Sequence, residues 1–195
     1  MTDTSGAAPT DAALLAAYAA GDGAAAQVLA NRLLPGVLGQ ATRMLADQAE
    51  AEDVAQEAMI RLWKIAADWR EGEAQISTWL YRVTANLCTD RLRKRQRSAS
   101  RPLEDVAEPP DPTPGVEAQM QTTARHAALA DALAQLPDRQ AQAVALRHLE
   151  GRANPEIAQI MDISVRSVES LTARGKRALA TILAGQRAAL GYEND

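Results

Sequence analysis

Apolar residues recur three or four positions apart over two long stretches of the chain, residues 12–97 and residues 119–187. This repeat matches the 3.6-residue turn of an α-helix and not the two-residue period of a strand. In the first stretch the repeating positions are Leu14, Tyr18, Val28, Leu29, Leu33, Val37, Leu38, Val54, Ala58, Leu62 and Ile65. The composition agrees, because the chain contains 42 alanines and no phenylalanine, and alanine is the strongest helix former. We therefore predict an all-α fold.

Short breaks divide the first stretch into separate helices. Asp22 lies between two glycines, Asp47 precedes an acidic run, and Gly72 interrupts the polar residues 68–75. Aspartate is a good N-cap, and glycine weakens the interior of a helix. These breaks predict three or four helices before residue 98.

Residues 102–117 have a different character. They contain five of the nine prolines and five acidic residues, and no basic residue. Because proline removes a backbone donor and breaks helices, we predict an extended, acidic, Pro-rich linker. The chain then divides into a disordered N-terminus (1–10), a helical domain (11–98), the linker (99–118), a second helical domain (119–187) and a tail (188–195).

The second domain carries the pattern of a helix-turn-helix. Pro137 and Asp138 open one helix, which we expect to run to Leu149. A short helix over residues 156–161 is followed by a sharp turn and by a longer helix that Ser164 caps. The expected buried face of the longer helix consists of Val165, Val168, Leu171, Gly175, Leu179 and Ile182.

The opposite face of the longer helix is cationic. Residues 163–187 contain five basic residues and one acidic residue, although the whole chain has a formal charge of -4. Arginines and small hydroxyl groups on such a face contact phosphates and base edges in the major groove. The candidate DNA contacts are Arg166, Ser167, Ser170, Arg174, Lys176 and Arg177. An ordinary amphipathic hairpin with a solvated basic face would show the same periodicity, so both interpretations stay open.

Two surfaces of the first domain are also candidates. Asp53, Gln56 and Glu57 share one helix face at spacings of three and four residues. Such an acidic stripe can dock on a basic partner, but acids at a helix start also complement the helix dipole. Trp79 and Tyr81 precede a run of six basic residues without an acid, residues 91–101. Aromatic rings that stack on unpaired bases, beside cations that follow phosphates, suit a single-stranded nucleic acid.

Trp79 and Tyr81 are two residues apart, so they point to different sides of a helix and at least one is expected in the core. Cys88, the single cysteine, is expected to be a small buried hydrophobe. One cysteine and two histidines exclude an intramolecular disulfide and a thiolate zinc cluster. We find no glycine-rich phosphate loop or activated nucleophile, and we therefore expect no enzymatic activity, metal or cofactor.

Cellular location follows from the same kind of pattern. No apolar run approaches the ~20 residues of a membrane span, and the N-terminus lacks a signal-peptide pattern. We therefore expect no membrane partner and a cytoplasmic location. The sequence pI of about 5.3 argues against a nucleic-acid binder that acts alone, because such domains are usually basic.

These motifs resemble a bacterial extracytoplasmic-function (ECF) sigma factor, the two-domain form of the sigma-70 family. Residues 51–57 with 61–63 are similar to region 2.2, which in the family docks on the clamp helices of the polymerase β′ subunit. Residues 77–82, 86 and 90–93 are similar to regions 2.3 and 2.4, which melt the promoter and read its minus-ten element. Residues 136–140 and 156–179 are similar to region 4, whose recognition helix binds the minus-thirty-five element.

The resemblance implies a role for each group of residues. Polymerase contacts are expected at Asp53, Gln56, Glu57 and Trp63. Minus-ten DNA contacts are expected at Trp69, Arg70, Trp79, Arg82, Asn86, Arg91 and Arg93. The six cationic-face residues named above would contact the minus-thirty-five element. Three positions depart from the family: Asp162 replaces a glycine, Glu169 a basic residue and Leu171 an arginine. Aspartate tolerates a left-handed turn, so we expect the fold to survive.

The implied partners are core RNA polymerase, through its β′ clamp helices and β flap, and promoter DNA as duplex and as melted strand. An anti-sigma factor is expected to hold the protein inactive until a stress or envelope signal arrives. The alternative is a stand-alone helix-turn-helix regulator, which binds a duplex operator without polymerase.

Overall fold

The computed structural model describes residues 8–70, 75–99 and 116–185. Within these residues the chain forms eight α-helices and no strand, which confirms the all-α prediction. They are α1 (Asp11–Ala19), α2 (Gly23–Leu45), α3 (Gln48–Ile65), α4 (Ile76–Ala99), α5 (Val116–Ala134), α6 (Asp138–Val144), α7 (Asn154–Met161) and α8 (Val165–Ala184). A 3₁₀ turn (Ala66–Asp68) follows α3, and a π-helical turn (Ala145–Leu149) follows α6.

Parts of the predicted organisation lie outside the described residues. These parts are the break at Gly72, residues 1–7 of the N-terminus, residues 100–115 of the linker and the tail 188–195. Helix α5 begins at Val116, so helix covers the end of the segment 99–118 that we expected to be linker. Pro114 and Gly115 directly precede this helix, and residues 116–134 contain no proline or glycine that would oppose it.

The helix starts in the first domain follow from local capping. The Asp22 carboxylate accepts hydrogen bonds from the Ala24 and Ala25 backbone N–H groups at 2.9 and 3.2 Å. The Asp47 carboxylate accepts one from the Glu50 N–H at 2.9 Å. Each bond satisfies a donor that lacks an intrahelical partner, which fixes where the helix begins. The predicted breaks at both aspartates are confirmed.

The second domain contains the predicted helix-turn-helix. Asp162 ends α7 in the left-handed region, with φ 54° and ψ 56°, which confirms the prediction that aspartate tolerates this turn. Ser164 Oγ accepts a hydrogen bond from the Ser167 N–H at 3.2 Å and so caps α8 as predicted. The prediction that Val165 is buried is wrong, because this side chain is 40% exposed. The buried stripe of α8 begins one turn later, at Val168.

Gly175 allows α8 to lie unusually close to α6. A Cβ atom at this position would be 2.6 Å from Val144 Cγ2 and 3.2 Å from the Gln140 backbone oxygen. Backbone cannot move aside as a flexible side chain can, so a larger residue would push the helices apart.

We expect Gly175→Ala to lower the free energy of unfolding by about 1–3 kcal/mol, the usual cost of overpacking a core. This loss exceeds the gain of up to about 1 kcal/mol that alanine brings to a helix interior. Urea denaturation followed by circular dichroism measures the change. Gly23→Ala is the matched control, because nothing lies within 4 Å of its added Cβ. A variant as stable as the wild type would show that the helices are free to separate.

The described part of the chain has buried apolar clusters in each domain and one that the domains share. The shared cluster includes Met44, Leu45 and Leu92 from the first domain and Leu133 and Leu179 from the second. Cys88 belongs to it and is fully buried, as predicted, and burial raises the pKa of its thiol to about 12. The two domains therefore pack directly against each other. Among the residues that the structure describes, none of the helices combines the length and the hydrophobicity of a membrane span.

Candidate nucleic-acid interface

The cationic face of α8 is open to solvent. All six predicted minus-thirty-five contacts are exposed, namely Arg166, Ser167, Ser170, Arg174, Lys176 and Arg177. The opposite face packs on the helix-turn-helix core through Val168. Leu171 lies at the margin of that core, half-buried, so at this position the side chain contributes to packing. Exposed Glu169 is the one acid on this face. The helix thus presents hydrogen-bond donors of the kind that bind phosphate oxygens and acceptor atoms on base edges.

The start of α7 fixes the first helix of this motif. Glu156 Oε2 accepts a hydrogen bond from the Ala153 N–H at 2.8 Å. This hydrogen bond is the main reason why the pKa of Glu156 lies below its usual value of 4.5, and the positive charge of nearby Arg152 lowers the pKa further. Since Ala153 has no side-chain acceptor, Glu156 provides only one half of a capping box.

The lowered pKa of Glu156 predicts a pH dependence of stability. The unfolded chain binds this proton at a higher pH than the folded chain, so stability rises with pH across the window. The contribution is complete above pH 4.5, the ordinary value, and is lost as the pH falls through the lower folded pKa. In Glu156→Gln the amide oxygen still accepts the bond but does not titrate. We expect acid to destabilise the wild type more than this variant, measured by thermal unfolding between pH 5 and pH 3. Equal losses of thermal stability in the two proteins would show that Glu156 does not contribute to destabilisation by acid.

The predicted polymerase-docking stripe forms an open patch on α3. The Asp53 and Glu57 side chains are 65% and 46% exposed, and Gln56 is exposed between them. Glu57 pairs with Arg61 at 2.9 Å on the same helix. Trp63 differs, because it is half-buried with its ring centroid 4.9 Å from that of Tyr18. The three polar residues therefore lie together on an accessible face of α3, whereas Trp63 packs partly into the core of the first domain.

The aromatic residues before the basic run separate as expected. Trp79 meets Trp69 edge to face at 6.0 Å, and both are half-buried. Tyr81 lies on another side of α4, beneath the guanidinium of Arg152, which is 4.3 Å from its ring centroid. Arg70 is exposed beside the tryptophan pair. The two tryptophans therefore pack partly into the core of the first domain, and exposed Arg70 follows Trp69 directly in the chain.

The remaining minus-ten candidates are not free side chains in this structure. Arg82 donates to backbone oxygens of α7, and Asn86 accepts a hydrogen bond from Gln142 at 2.8 Å. Arg93 forms an ion pair with Asp138 at 2.8 Å. Arg91 lies 3.6 Å from Asp53, one of the predicted docking acids. Sequence reasoning missed these partners, because each lies far away along the chain, in the second domain for Arg82, Asn86 and Arg93 and on α3 of the first domain for Arg91.

Both domains match protein-family models. The model of Sigma-70 region 2 matches residues 29–98, and the model of Sigma-70, region 4 matches residues 126–179. The chain is 33% identical over 174 residues to ECF RNA polymerase sigma factor SigM of Mycobacterium tuberculosis, which covers 89% of this chain and 85% of SigM. It is 31% identical over 150 residues to SigW of Bacillus subtilis, across 70% of this chain and 77% of SigW.

Two solved structures share the fold. CnrH, in complex with the cytosolic domain of CnrY, superposes with a TM-score of 0.60 at 23% identity, over 90% of this chain and 97% of CnrH. The sigma factor RpoE of Bartonella quintana, in complex with the anti-sigma factor NepR, gives 0.52 at 22% identity, over 81% and 96%. The fold and both matched regions define a sigma-70 type protein. Within that class, the chain belongs to the ECF RNA polymerase sigma factors.

Proposed function

We propose that this ECF sigma factor docks on core polymerase through Asp53, Gln56 and Glu57, with Trp63 supporting that surface. The observation that carries the assignment is the exposed acidic patch within the segment that matches region 2, because acids without buried partners are available to a basic surface. The clamp helices of β′ are the proposed partner of this patch, and the β flap is the proposed partner of the second domain.

The same proposal assigns promoter DNA to two surfaces. The cationic face of α8 contacts the minus-thirty-five duplex through Arg166, Ser167, Ser170, Arg174, Lys176 and Arg177. The tryptophan pair, Arg70 and polar residues of α4 contact the melted minus-ten strand; the residues are Trp69, Arg70, Trp79, Arg82, Asn86, Arg91 and Arg93. The protein contributes binding and strand separation in the cytoplasm and catalyses no reaction itself.

Run-off transcription tests this function. Core polymerase is supplied with fragments of upstream DNA from the source genome, with and without the protein. We expect transcripts with defined start sites only when the protein is present, and the start sites supply the promoter sequence. If core polymerase neither binds the protein nor initiates with it, while the free protein gives a tight duplex footprint, the function is that of a stand-alone regulator.

An anti-sigma factor is the proposed negative regulator. In the two solved structures, RpoE is bound to the anti-sigma factor NepR and CnrH to the cytosolic domain of CnrY. The accessible acidic and cationic surfaces of this chain could bind such a partner through complementary charge. Affinity purification of the tagged protein from its uninduced source cells is expected to recover one stoichiometric partner that blocks run-off transcription. A protein always recovered alone and fully active would contradict this regulation.

A further inference from the structure

Glu169 is an acid on the cationic face of α8, and its carboxylate has no partner within the described residues. It is the fifth residue of the helix, and it is exposed. Its side chain forms no ion pair or hydrogen bond with any residue that the structure describes. The neighbours three and four positions away on the helix surface are Val165, Arg166, Thr172 and Ala173. Only Arg166 among them is charged, so the carboxylate is available to a group outside the chain.

The position of Glu169 on α8 places it beside the proposed base contacts. The buried stripe of α8 runs through Val168, Gly175 and Leu179. At about 100° per residue, Glu169 points about 100° away from Val168, and Arg166 points about 60° further round the helix. In a helix-turn-helix, the first residues of the second helix contact base edges in the major groove. Glu169 therefore lies next to Arg166, at the edge of the surface that faces the bases.

An ionised carboxylate can bind few groups on duplex DNA. It only accepts hydrogen bonds, so the phosphate oxygens repel it, as do the acceptor atoms of guanine and thymine in the major groove. The donors in that groove are the N4 amino group of cytosine and the N6 amino group of adenine. Adenine places its N7 acceptor next to N6, which repels the second carboxylate oxygen, whereas cytosine has no acceptor on this edge. The chemistry of Glu169 therefore favours cytosine.

We propose that Glu169 is a specificity-determining residue, which selects a cytosine in the minus-thirty-five element by accepting a hydrogen bond from its N4 amino group. Any other base leaves the desolvated carboxylate without a donor, which weakens binding. A basic residue, which the family resemblance leads us to expect at this position, favours guanine instead, so the acid changes the preferred base. The inference rests on the proposed function for the identity of the DNA element, although base readout by Glu169 does not.

Selection from a duplex library tests this readout. Holoenzyme assembled from core polymerase and the full-length protein is offered duplexes randomised upstream of the start site, and the bound duplexes are sequenced. We expect the wild type to select cytosine at one position of the upstream element. Glu169→Gln is expected to select adenine there, because a glutamine amide binds N6 and N7 of adenine together. Glu169→Ala is expected to lose selectivity at that position alone.

Binding to single duplexes gives the size of the effect. Replacing the selected C·G pair with T·A is expected to weaken binding of the wild-type holoenzyme about tenfold to a hundredfold. A cytosine analogue that lacks the N4 amino group, placed opposite guanine, is expected to weaken it to a similar extent. Neither change is expected to affect Glu169→Ala appreciably, because that variant no longer reads the amino group.

Asp131→Asn is the matched control for charge. It removes one exposed negative charge from α5, outside the cationic face of α8, and is expected to leave base selection unchanged. Circular dichroism checks that every variant is folded. The inference would be overturned if the wild type selects no cytosine that Glu169→Gln changes. It would also be overturned if the Glu169 variants bind every duplex more tightly by the same factor, because Glu169 would then only repel DNA in general.

Binding to core polymerase separates this inference from the proposed function. Glu169→Gln is expected to bind core as the wild type does, and weaker binding would assign Glu169 to a polymerase contact and overturn the base readout. If the wild type forms no holoenzyme, the proposed function fails, and the same selection with the free full-length chain decides about Glu169. A cytosine that Glu169→Gln changes to adenine would then uphold the readout in a stand-alone regulator. A chain that selects no duplex, with core or alone, would refute both.

Discussion

Asp53→Lys combined with Glu57→Lys is expected to weaken binding to core polymerase by about a hundredfold or more, since lysines facing a basic surface repel it where carboxylates were attracted. The Asp53 and Glu57 side chains are 65% and 46% exposed and neither belongs to the core, so the fold should remain. The losses within the chain are the pair of Glu57 with Arg61 and the longer contact of Asp53 with Arg91. Exposed pairs of this kind contribute about 0.2–1 kcal/mol. Fluorescence anisotropy against core polymerase measures the affinity, and thermal unfolding monitors the fold.

Glu52→Lys provides the control for net charge. Glu52 is exposed on the same helix, and its side chain points about 100° away from that of Asp53, toward the Gln56 edge of the patch. Its carboxylate accepts a hydrogen bond from Gln48 at 2.7 Å and is not one of the proposed docking residues. We expect Glu52→Lys to bind core nearly as the wild type does, and Asp53→Lys alone to bind more weakly. Equal effects of the two single changes would mean that total charge, and not this patch, determines docking.

The sequence predicted the features that depend on neighbouring residues. Asp22, Asp47 and Ser164 cap the helices expected of them, because a cap needs only a side-chain oxygen and the backbone N–H two or three positions later. The left-handed turn at Asp162 was likewise predictable, since aspartate tolerates that backbone region. The prediction that Val165 is buried was wrong, because helical periodicity indicates which face of a helix is apolar but not where along the helix that face first contacts another element.

The candidate site was harder to predict, because its surroundings depend on contacts distant in the sequence. Arg43 and Glu150, whose side chains form an ion pair at 2.6 Å, are 107 residues apart, and neither carries a motif. The basic pattern of α4 marked Arg82 and Arg93 as cations but could not show that α7 and Asp138 already engage them. Composition identified residues 102–117 as a linker between two domains but gave no indication of how the domains pack. The shared apolar cluster shows direct packing, which only the three-dimensional arrangement could reveal.

Leu146→Ala is expected to cause the largest loss of stability. Leu146 is fully buried in the helix-turn-helix core with Ile157 and Val168. Removing a buried leucine side chain costs about 2–5 kcal/mol, because transfer free energy is lost and a cavity remains. A helical domain of this size has little stability to spare, so we expect the motif to loosen at growth temperature. The cationic face of α8 would then lose the rigid support that aligns it with DNA.

Chemical denaturation and run-off transcription check this prediction together. Leu34→Ala makes the same chemical change at a leucine that is 38% exposed, and it should shift stability by less than about 1 kcal/mol. We expect the Leu146 variant to lose promoter-dependent transcripts while it still binds core polymerase, because the docking patch lies on α3 in the other domain. Retention of both stability and transcription would show that the motif does not need this core. Loss of core binding as well would show that the shared cluster couples the two domains into one folding unit.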